Sequence, residues 1–387
     1  MCLPTSHPYR RIMHKRVFVL SICTTAALLA GCTAHSAEST APTVALARVE
    51  NVRDDLDAIV GSGAVGTIAT LTDNGATTVV TSGLADIAAG TPMPTDPPEH
   101  VRIGSITKTF TATIALQLVA ENKLDLDRPI EEYLPGLLAG DGVDGHVITV
   151  RQILGHRSGI PEPAYSPQID EYEAARTGRT FTPAQEIALA LQHPAQFTPG
   201  SQFEYTNTNY IVAGMLIEAV TGRPYADELR DRILTPLGMQ DTYLPATGET
   251  ALREPHPTGY GTIDGIVTDQ TRIEPSLPWT SGALVSTGAD VNRFFTALSA
   301  GQVVPQTQLE QMLDGSDMGK GDGMSYGLGV GYTQLPCGAQ YIGHIGNVRG
   351  FSAISGATAA GRAVTVTYTG TPATVDIRGL LTHALCG

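Results

Sequence analysis

The segment RIGSITKTFTATIALQLVA, from Arg102 to Ala120, places the strongest constraint on how this chain can fold. After Lys108 the segment carries no charge, and its apolar side chains would cover nearly every face of a helix. A helix of this kind must be enclosed by the rest of the protein. The chain has only four lysines, and one of them stands at the start of this helix. Lys108 must therefore be paired with an acid, extended to solvent, or kept neutral for chemistry.

The composition is that of a folded, acidic protein. The 387 residues are 42% hydrophobic and 16% charged, which suffices for one large domain or two lobes with a sizeable core. The formal net charge is -14. This excess of acid disfavours nucleic acid and anionic lipid headgroups as partners of the folded part.

The N-terminal residues are predicted to lie outside the fold. A basic segment precedes an apolar run, Val17 to Ala30, that is too short to span a bilayer. The run leads into LAGC, which resembles the lipobox of bacterial lipoproteins, so residues 1–31 would be a signal peptide and Cys32 would carry lipid. Residues 32–45 would be a tether. The prediction is an extracytoplasmic protein, lipid-anchored to a bacterial membrane; the alternative is an ordinary secretory signal with a chance cysteine.

Cysteine usage agrees with export. Cys337 and Cys386 are the cysteines that remain after Cys32 and the signal peptide, an even pair in an oxidising compartment. This pattern predicts a disulfide between them. The alternative is two buried free thiols.

Periodicity and turn residues divide the remaining chain into strands at both ends and helices in the middle. A helix over 46–60 precedes strands over 67–72 and 76–81, and Asn74-Gly75 between these strands is typical of a tight hairpin turn. Helices are predicted from about 105 to 279 and again over 289–300. Four more strands and a last helix are predicted over 326–333, 340–345, 351–354, 362–369 and 375–385.

This order predicts an α+β fold. One antiparallel sheet would be assembled from the N- and C-terminal segments and flanked by helices. The domain would span 46–387, with a mainly helical second lobe, about 106–280, inserted between the sheet segments. A cleft between the two lobes is the default place for a functional site.

A hydroxyl and an amine stand one helical turn apart in Ser105-Ile106-Thr107-Lys108. At the helix N-terminus, backbone N–H groups and the helix dipole would favour negative charge near Ser105. Lys108 has no acid nearby in the sequence, so desolvation would lower its pKa from about 10.4 toward roughly 7–8. A neutral amine beside a serine makes an activated nucleophile. A lone Ser-x-x-Lys is a weak signal, and the alternative is an N-capping serine followed by a lysine that reaches solvent.

Two later segments add groups of the same kind. Tyr205 and Asn207, in QFEYTNTNY, precede an apolar helix and would point the same way if the stretch is extended. His344, in GHIG, lies on a predicted strand whose glycines, including Gly346, would let a substrate backbone approach. Taken singly, each segment is more typical of a structural role: a packed tyrosine, a turn asparagine, a strand histidine.

Together, Ser-x-x-Lys, Tyr-x-Asn and His-x-Gly resemble the motifs of the serine β-lactamase and penicillin-binding-protein superfamily, in order and in spacing. The flanking segments LGHRSGI and WTSGALVSTGADVNRFFTAL are also similar to that family. Within it, the chain most resembles class C β-lactamases, secreted D-alanyl-D-alanine carboxypeptidases and esterases of the same fold. The resemblance runs from about Leu46 to the C-terminus.

The resemblance implies a role for each motif residue. Ser105 would attack a carbonyl and hold the acyl group, while Lys108 and Tyr205 would move its proton, Tyr205 as a phenolate-like base. Asn207 would donate to the substrate amide and fix Lys108. His344 would replace the lysine of the commoner Lys-Thr-Gly motif and keep hydrogen bonding near Tyr205.

Substrate-binding residues are also implied by the resemblance. Backbone N–H groups of Ser105 and Asn347 would form the oxyanion hole, next to Gly346, and each donor of such a hole contributes roughly 3–4 kcal/mol. Trp279 resembles an aromatic wall of the cleft, although a lone tryptophan is as often plain core.

The third motif departs from the family pattern at Ile345. The family often has threonine there, whose hydroxyl helps hold the carboxylate of a β-lactam or a peptide C-terminus. Arg349, four residues on, would reach such a carboxylate bidentately; its alternative is a surface arginine at a turn. Without carboxylate recognition, esters and uncharged acyl compounds become plausible substrates.

Other residues are predicted to be structural. His156 in LGHRSGI precedes a turn, the remaining histidines of the folded part show no metal-ligand spacing, and neither a metal nor another cofactor is expected. The predicted activity is a serine acyl hydrolase on small acyl substrates, namely a D-alanyl-D-alanine carboxypeptidase or a related peptidase or esterase. The alternatives are a class C-like β-lactamase and a low-turnover lipoprotein that binds penicillin or cell-wall peptide.

Overall fold

The computed structural model describes residues 43–163, 169–318 and 323–386. The predicted signal peptide, Cys32 and most of the tether lie outside the described residues, so the lipid anchor stays a prediction. The described residues form one compact unit. Among the described helices, none combines the length and the apolar character needed to cross a membrane.

The strands near the two ends of the described chain build one sheet. In chain order, the strands are β1 Ala64–Asp73, β2 Ala76–Asp86, β3 Thr91–Pro92, β4 Val101–Arg102, β5 Tyr260–Ile263, β6 Ile266–Asp269, β7 Val285–Ser286, β8 Ser316–Asp317, β9 Ser325–Tyr326, β10 Gly331–Gln334, β11 Gln340–Val348, β12 Phe351–Ala357 and β13 Arg362–Gly370.

Within the described ranges the main sheet has nine strands, in the order β3-β2-β1-β13-β12-β11-β10-β9-β8. Its pairings are antiparallel, and the termini meet where β1 pairs with β13. Two small antiparallel pairs, β4 with β7 and β5 with β6, lie outside this sheet. The predicted α+β fold with a sheet from both ends of the chain is confirmed.

The helices flank this sheet and fill the middle of the chain. They are α1 Leu46–Gly61, α2 Thr107–Ala120, α3 Val150–Leu154, α4 Glu171–Thr177, α5 Pro183–Ala190, α6 Asn207–Thr221, α7 Tyr225–Leu229, α8 Thr235–Leu237, α9 Trp279–Gly282, α10 Gly288–Ser299, α11 Gln306–Met312 and α12 Ile377–Cys386. A π-helical stretch, Arg230–Leu234, joins α7 to α8, and 3-10 turns cover Gly104–Ile106 and Ile130–Glu132.

Apolar side chains form two cores on opposite faces of the sheet. Alternation along β13 separates them, because Ala363 belongs to the core shared with α2, α6 and α10, whereas Val364 faces α1 and α12. The first core surrounds α2 and buries its residues from Thr107 to Leu116. The uncharged helix is therefore enclosed by protein, as its sequence requires.

Local sequence explains several boundaries. Asn74 and Gly75 have φ angles of 46° and 89° and close the β1–β2 hairpin. Thr149 and Thr182 each form a capping box with the glutamine three residues on, which starts α3 and α5.

Two predicted elements were wrong in detail. The single strand predicted over 326–333 is a pair of antiparallel strands, β9 and β10, because the chain reverses at a turn that includes Gly329, whose φ is 79°. Asn207 is not extended: Thr206 caps α6 by accepting from the backbone of Thr208, so Asn207 is the first residue of that helix.

The disulfide joins Cys337, in the β10–β11 turn, to Cys386, the last residue of α12. It ties the C-terminal helix to the strand that follows Cys337.

Candidate active site

Ser105 lies in a 3-10 turn that leads directly into α2. The turn packs tightly against β11, and glycines at the contact make this possible. A Cβ atom on Gly104, whose φ is +52°, would lie 2.7 Å from the backbone nitrogen of Asn347. A Cβ atom on Gly346 would lie 1.9 Å from the carbonyl oxygen of Ile103. Gly346, predicted to bind substrate, therefore lies beneath the nucleophile turn, where it allows the backbones to meet.

The edge of β11 that faces this turn is free of β10, because their pairing stops at Gly331 and Gly343. On the other edge, β11 and β12 are joined by a two-residue turn, so Val348 and Phe351 form a hydrogen-bonded pair. Asn347 then occupies a non-hydrogen-bonded position, and its N–H points away from β12, toward the turn that carries Ser105. This orientation fits the predicted oxyanion hole.

Lys108 is fully buried and makes three polar contacts. Its Nζ lies 3.0 Å from Ser105 Oγ, 2.7 Å from Asn207 Oδ1 and 2.7 Å from the carbonyl oxygen of Ser281. Desolvation lowers the pKa of Lys108 from 10.5 to about 7, against the raising effect of Glu162. A neutral amine has two N–H donors, which match the two carbonyl acceptors, and one lone pair. That lone pair faces the Ser105 hydroxyl and can accept its proton.

Asn207 holds Lys108 and is itself held by Glu162. The Glu162 carboxylate accepts from the Asn207 backbone N–H at 2.6 Å and from its side-chain Nδ2 at 3.2 Å. These two bonds fix the amide so that its oxygen faces Lys108. Glu162 is a functional residue that the sequence analysis missed, because it follows the quoted LGHRSGI segment without a motif of its own.

Tyr205 stands on the other side of Lys108, whose Nζ lies 4.9 Å from the centre of the phenol ring. The Tyr205 hydroxyl oxygen is buried. Burial raises the pKa of Tyr205 well above its usual value of 10, against the lowering effect of the neighbouring Ser105 side chain. The phenol is therefore protonated in the resting site. The role predicted for Tyr205, a phenolate-like base, stays a prediction, while Lys108 titrates near neutral pH.

His344 is buried and neutral. Burial and the nearby Lys108 lower its pKa from 6.5 to about 3, against the raising effect of a hydrogen bond from the ring to the Ile345 carbonyl. Nδ1 donates to that carbonyl oxygen at 2.6 Å, so Nε2 accepts from the Tyr326 hydroxyl at 3.0 Å. The histidine of the third motif thus bonds to Tyr326, a residue the sequence analysis did not single out, while its ring centre lies 6.3 Å from that of Tyr205.

His156 supports the tyrosine from behind. Its ring centre lies 4.2 Å from that of Tyr205, and Nδ1 accepts from the Thr206 backbone and from Asn209 Nδ2. Burial is the main cause that lowers the pKa of His156 well below its usual value. These contacts agree with the structural role predicted for it.

A cavity of about 670 Å³ opens from Ser105. Its wall includes the catalytic candidates Tyr205, Asn207, His344 and Asn347, but it is otherwise largely apolar. Among the described residues that line it, Glu204 is the one with a formal charge, and lysine and arginine are absent. The other lining residues are Phe203, Met318, Met324, Tyr326, Gly331, Tyr341, Gly343, Ile345 and Ile377.

Two predicted substrate-binding residues lie away from this cavity. Trp279 packs edge-on against Tyr225, with ring centres 6.0 Å apart, and so belongs to the core of the helical lobe rather than to the cavity wall. The Arg349 guanidinium pairs with Asp170 at 2.7 Å. The predicted contact of Arg349 with a substrate carboxylate is therefore not supported, because that charge is already paired outside the cavity.

The arrangement is that of a serine acyl-transfer site: a nucleophile, a desolvated amine beside it, a phenol and two convergent N–H groups. A family model described as Beta-lactamase matches residues 49–384. The chain belongs to the beta-lactamase family. The family predicted from its motifs is therefore confirmed, and the enzyme is a serine hydrolase related to carboxypeptidases and D-amino acid amidases.

This beta-lactamase-family enzyme is similar in sequence to several curated proteins. It is 30% identical over 274 residues to a D-aminopeptidase from Brucella anthropi, covering 70% of this chain and 49% of that protein. It is 31% identical over 218 residues to penicillin-binding protein 4 from Amycolatopsis lactamdurans, covering 55% of this chain and 54% of that protein. The chain thus spans about half the length of these curated relatives.

Among solved structures, a D-stereospecific amidohydrolase from Streptomyces sp. superposes with a TM-score of 0.80 at 34% identity, covering 87% of this chain and 98% of that one. A D-amino acid amidase from Ochrobactrum anthropi gives a TM-score of 0.74 at 29% identity, covering 87% and 97%.

The pH dependence of this enzyme should follow the ionisation of Lys108. Only the neutral amine can take the Ser105 proton, so kcat/KM should rise with pH and level off above the lysine pKa of about 7. Glu162→Gln should move this rise to lower pH, because the Glu162 charge raises the pKa of Lys108. Glu173→Gln, which changes an exposed acid on α4, is the matched control. A rise that stays in place in Glu162→Gln, or moves to higher pH, would contradict the assignment.

Proposed function

We propose that this enzyme hydrolyses amide or ester bonds at the carbonyl of a D-amino acid residue with a free amine, releasing an uncharged leaving group. One observation carries the proposal: neither of the two positions expected to hold a substrate carboxylate can do so. A carboxypeptidase must hold a C-terminal carboxylate, and here Ile345 offers no hydroxyl while Arg349 is bound to Asp170.

The charges near the nucleophile support the free amine. Glu204 lines the cavity, and Glu162 lies behind Asn207 within electrostatic reach of Lys108. A site with acidic residues attracts an ammonium group and repels a carboxylate. The D configuration is supported by relatives and neighbours named as a D-aminopeptidase, a D-stereospecific amidohydrolase and a D-amino acid amidase.

The reaction follows from the contacts. Ser105 Oγ attacks the carbonyl carbon while its proton passes to the Lys108 lone pair, and the oxyanion is bound by the N–H groups of Ser105 and Asn347. Collapse breaks the bond to the leaving atom, which takes a proton from the protonated Tyr205, and Lys108 restores that proton. Water then attacks the acyl-enzyme, giving a proton to Lys108, and the ester bond to Ser105 breaks as the serine regains its proton.

We also propose that the enzyme works outside the cytoplasm, held at a bacterial membrane by lipid on Cys32. The basic and apolar segments before Cys32 support this. The disulfide between Cys337 and Cys386 supports an oxidising compartment.

The test compares D-Ala-D-Ala with its C-terminal amide, so that only the carboxylate differs. The peptide bond of the dipeptide amide should be hydrolysed with a kcat/KM at least about tenfold higher than the peptide bond of the free acid. Replacing the first D-Ala, which supplies the acyl group, with L-Ala should lower kcat/KM by about 100-fold or more. N-acetylation should also reduce turnover. Faster hydrolysis of the free acid, or of N-acetyl-D-Ala-D-Ala, would restore the carboxypeptidase interpretation.

The same preparation separates the remaining alternatives. Rapid nitrocefin turnover would indicate a β-lactamase. A stable mass adduct on Ser105 after incubation with penicillin, with no hydrolysis of any acyl substrate, would indicate a binding lipoprotein.

A further inference from the structure

The position of the proton donor decides which part of the substrate enters the cavity. Tyr205 lines it next to Ser105, and a general acid must lie within hydrogen-bond reach of the leaving atom. His344, Gly331 and Ile377 line the same cavity. The group that departs with the leaving atom therefore extends into this cavity.

The cavity offers apolar contact to such a group. Its described wall combines Met324, Tyr341 and Ile377, which give van der Waals contact but no charge. Methionine side chains also adapt to the shape of a bound apolar group.

Gly331 contributes no side chain to the wall of this cavity. It is the first residue of β10, paired with Tyr326 of β9 and Gly343 of β11, and all three line the cavity. A glycine in a strand often marks a place where a ligand approaches closely.

Backbone geometry does not require glycine at this position. The φ angle of Gly331 is not in the left-handed region, and a Cβ atom there would meet the end of the flexible Met324 side chain at 3.2 Å and the Gly343 carbonyl oxygen at 3.4 Å. Gly343 differs, because a Cβ atom there would lie 2.1 Å from the Ser355 carbonyl oxygen. Gly343 is needed for packing; Gly331 is needed only for space.

We infer that Gly331 is a specificity-determining residue, which keeps the leaving-group pocket open for a bulky, apolar amine or alcohol such as an aryl amide or aryl ester. The inference rests on one part of the proposed function, the uncharged leaving group. It does not depend on which acyl group the enzyme accepts. Aromatic groups fit the mixed methionine, tyrosine and isoleucine wall.

The test varies the leaving group and the pocket together. Wild type and Gly331→Val are compared on methyl acetate and 2-naphthyl acetate, and on D-alanine amide and D-alanine 2-naphthylamide. Intrinsic leaving-group reactivity cancels when the two enzymes are compared on one substrate. In Gly331→Val, kcat/KM should fall about tenfold or more on the naphthyl compounds and stay within about twofold on the small ones.

Three further variants complete the design. Gly61→Val adds the same atoms at a glycine with open space around it, outside the cavity. It should change kcat/KM neither on the naphthyl compounds nor on the small ones. Ile377→Ala, which widens the pocket, should leave naphthyl turnover intact or raise it. If Gly331→Val lowers the melting temperature markedly, Gly331→Ala should still give a smaller loss confined to the naphthyl compounds.

Equal losses on small and large leaving groups, or none on either, would overturn the inference. The acetate pair keeps this result separate from the proposed function. If Gly331→Val loses activity on 2-naphthyl acetate but not on methyl acetate, and neither enzyme hydrolyses the D-alanine compounds, the pocket is supported and the proposed D-aminoacyl group is refuted. If the enzyme hydrolyses D-alanine compounds but Gly331→Val changes kcat/KM equally on naphthyl and small substrates, the pocket is refuted and the proposed function stands.

Discussion

Lys108→Met is expected to lower kcat/KM by about 1,000-fold or more on a D-amino acid amide. The amine lies 3.0 Å from Ser105 Oγ, where it can take the serine proton, and general-base catalysis contributes about 100-fold to 10,000-fold. The loss should be at the upper end, because Asn207 and the Ser281 carbonyl also lose their donor and the site loses its geometry. Methionine keeps the buried volume of the α2 start, so the fold should survive.

The measurement is single-turnover acylation of Ser105, followed by intact mass, with the melting temperature recorded for each variant. Lys123→Met is the matched control, since Lys123 is half exposed and pairs with Glu121 at the end of the same helix region. Lys108→Arg should not restore activity, because a guanidinium stays charged at neutral pH and cannot act as the base. Acylation by Lys108→Met at a rate near that of wild type would disprove the role of the amine.

The sequence was most informative where one physical requirement left few solutions. A helix without charge after Lys108 had to be buried, which left three alternatives for that lysine: paired with an acid, extended to solvent, or neutral. Lys108 is fully buried, which excludes the second. Alternation and the Asn74-Gly75 turn located β1 and β2 to within a few residues. The motifs predicted to form one site include Ser105, Lys108 and Asn207, and Lys108 contacts each of the other two directly.

What the sequence could not show depends on contacts between distant segments. Glu162 binds Asn207 across a separation of 45 residues, and the Ser281 acceptor is a backbone carbonyl, which has no signature in the sequence. Arg349 was placed near a substrate carboxylate by its distance along the chain, but it pairs with Asp170, 179 residues away. Such partners become visible only once the fold is known.

The ionisation states of the site could also not be read from residue types. Tyrosine and histidine near a serine suggest a base, yet burial lowers the pKa of His344 to about 3, which makes its imidazole a weak base, and raises the pKa of Tyr205, which makes its phenol harder to ionise. Lys108 alone titrates near neutral pH, because it is desolvated but lies near the Glu162 charge. In the proposed reaction, one proton is transferred in total from Ser105 to the leaving atom, by way of Lys108 and Tyr205.

Tyr205→Phe is expected to affect amides far more than activated esters. Burial keeps the phenol protonated, so its role is to give a proton to the leaving atom. An amide nitrogen cannot depart without that proton, and its kcat/KM should fall by about 100-fold to 10,000-fold. A p-nitrophenolate leaves as a stable anion, so acylation by p-nitrophenyl acetate should fall by less than about tenfold.

Tyr133→Phe is the matched control, because its hydroxyl accepts from the Asp125 backbone at the surface, outside the cavity. The comparison of the two substrates distinguishes the protonated phenol from the phenolate-like base that the family resemblance implies. A base that removes the Ser105 proton acts before the leaving group matters, so its loss would slow the ester and the amide equally. Equal losses in Tyr205→Phe would therefore return the base role to Tyr205 and leave Lys108 as its electrostatic partner.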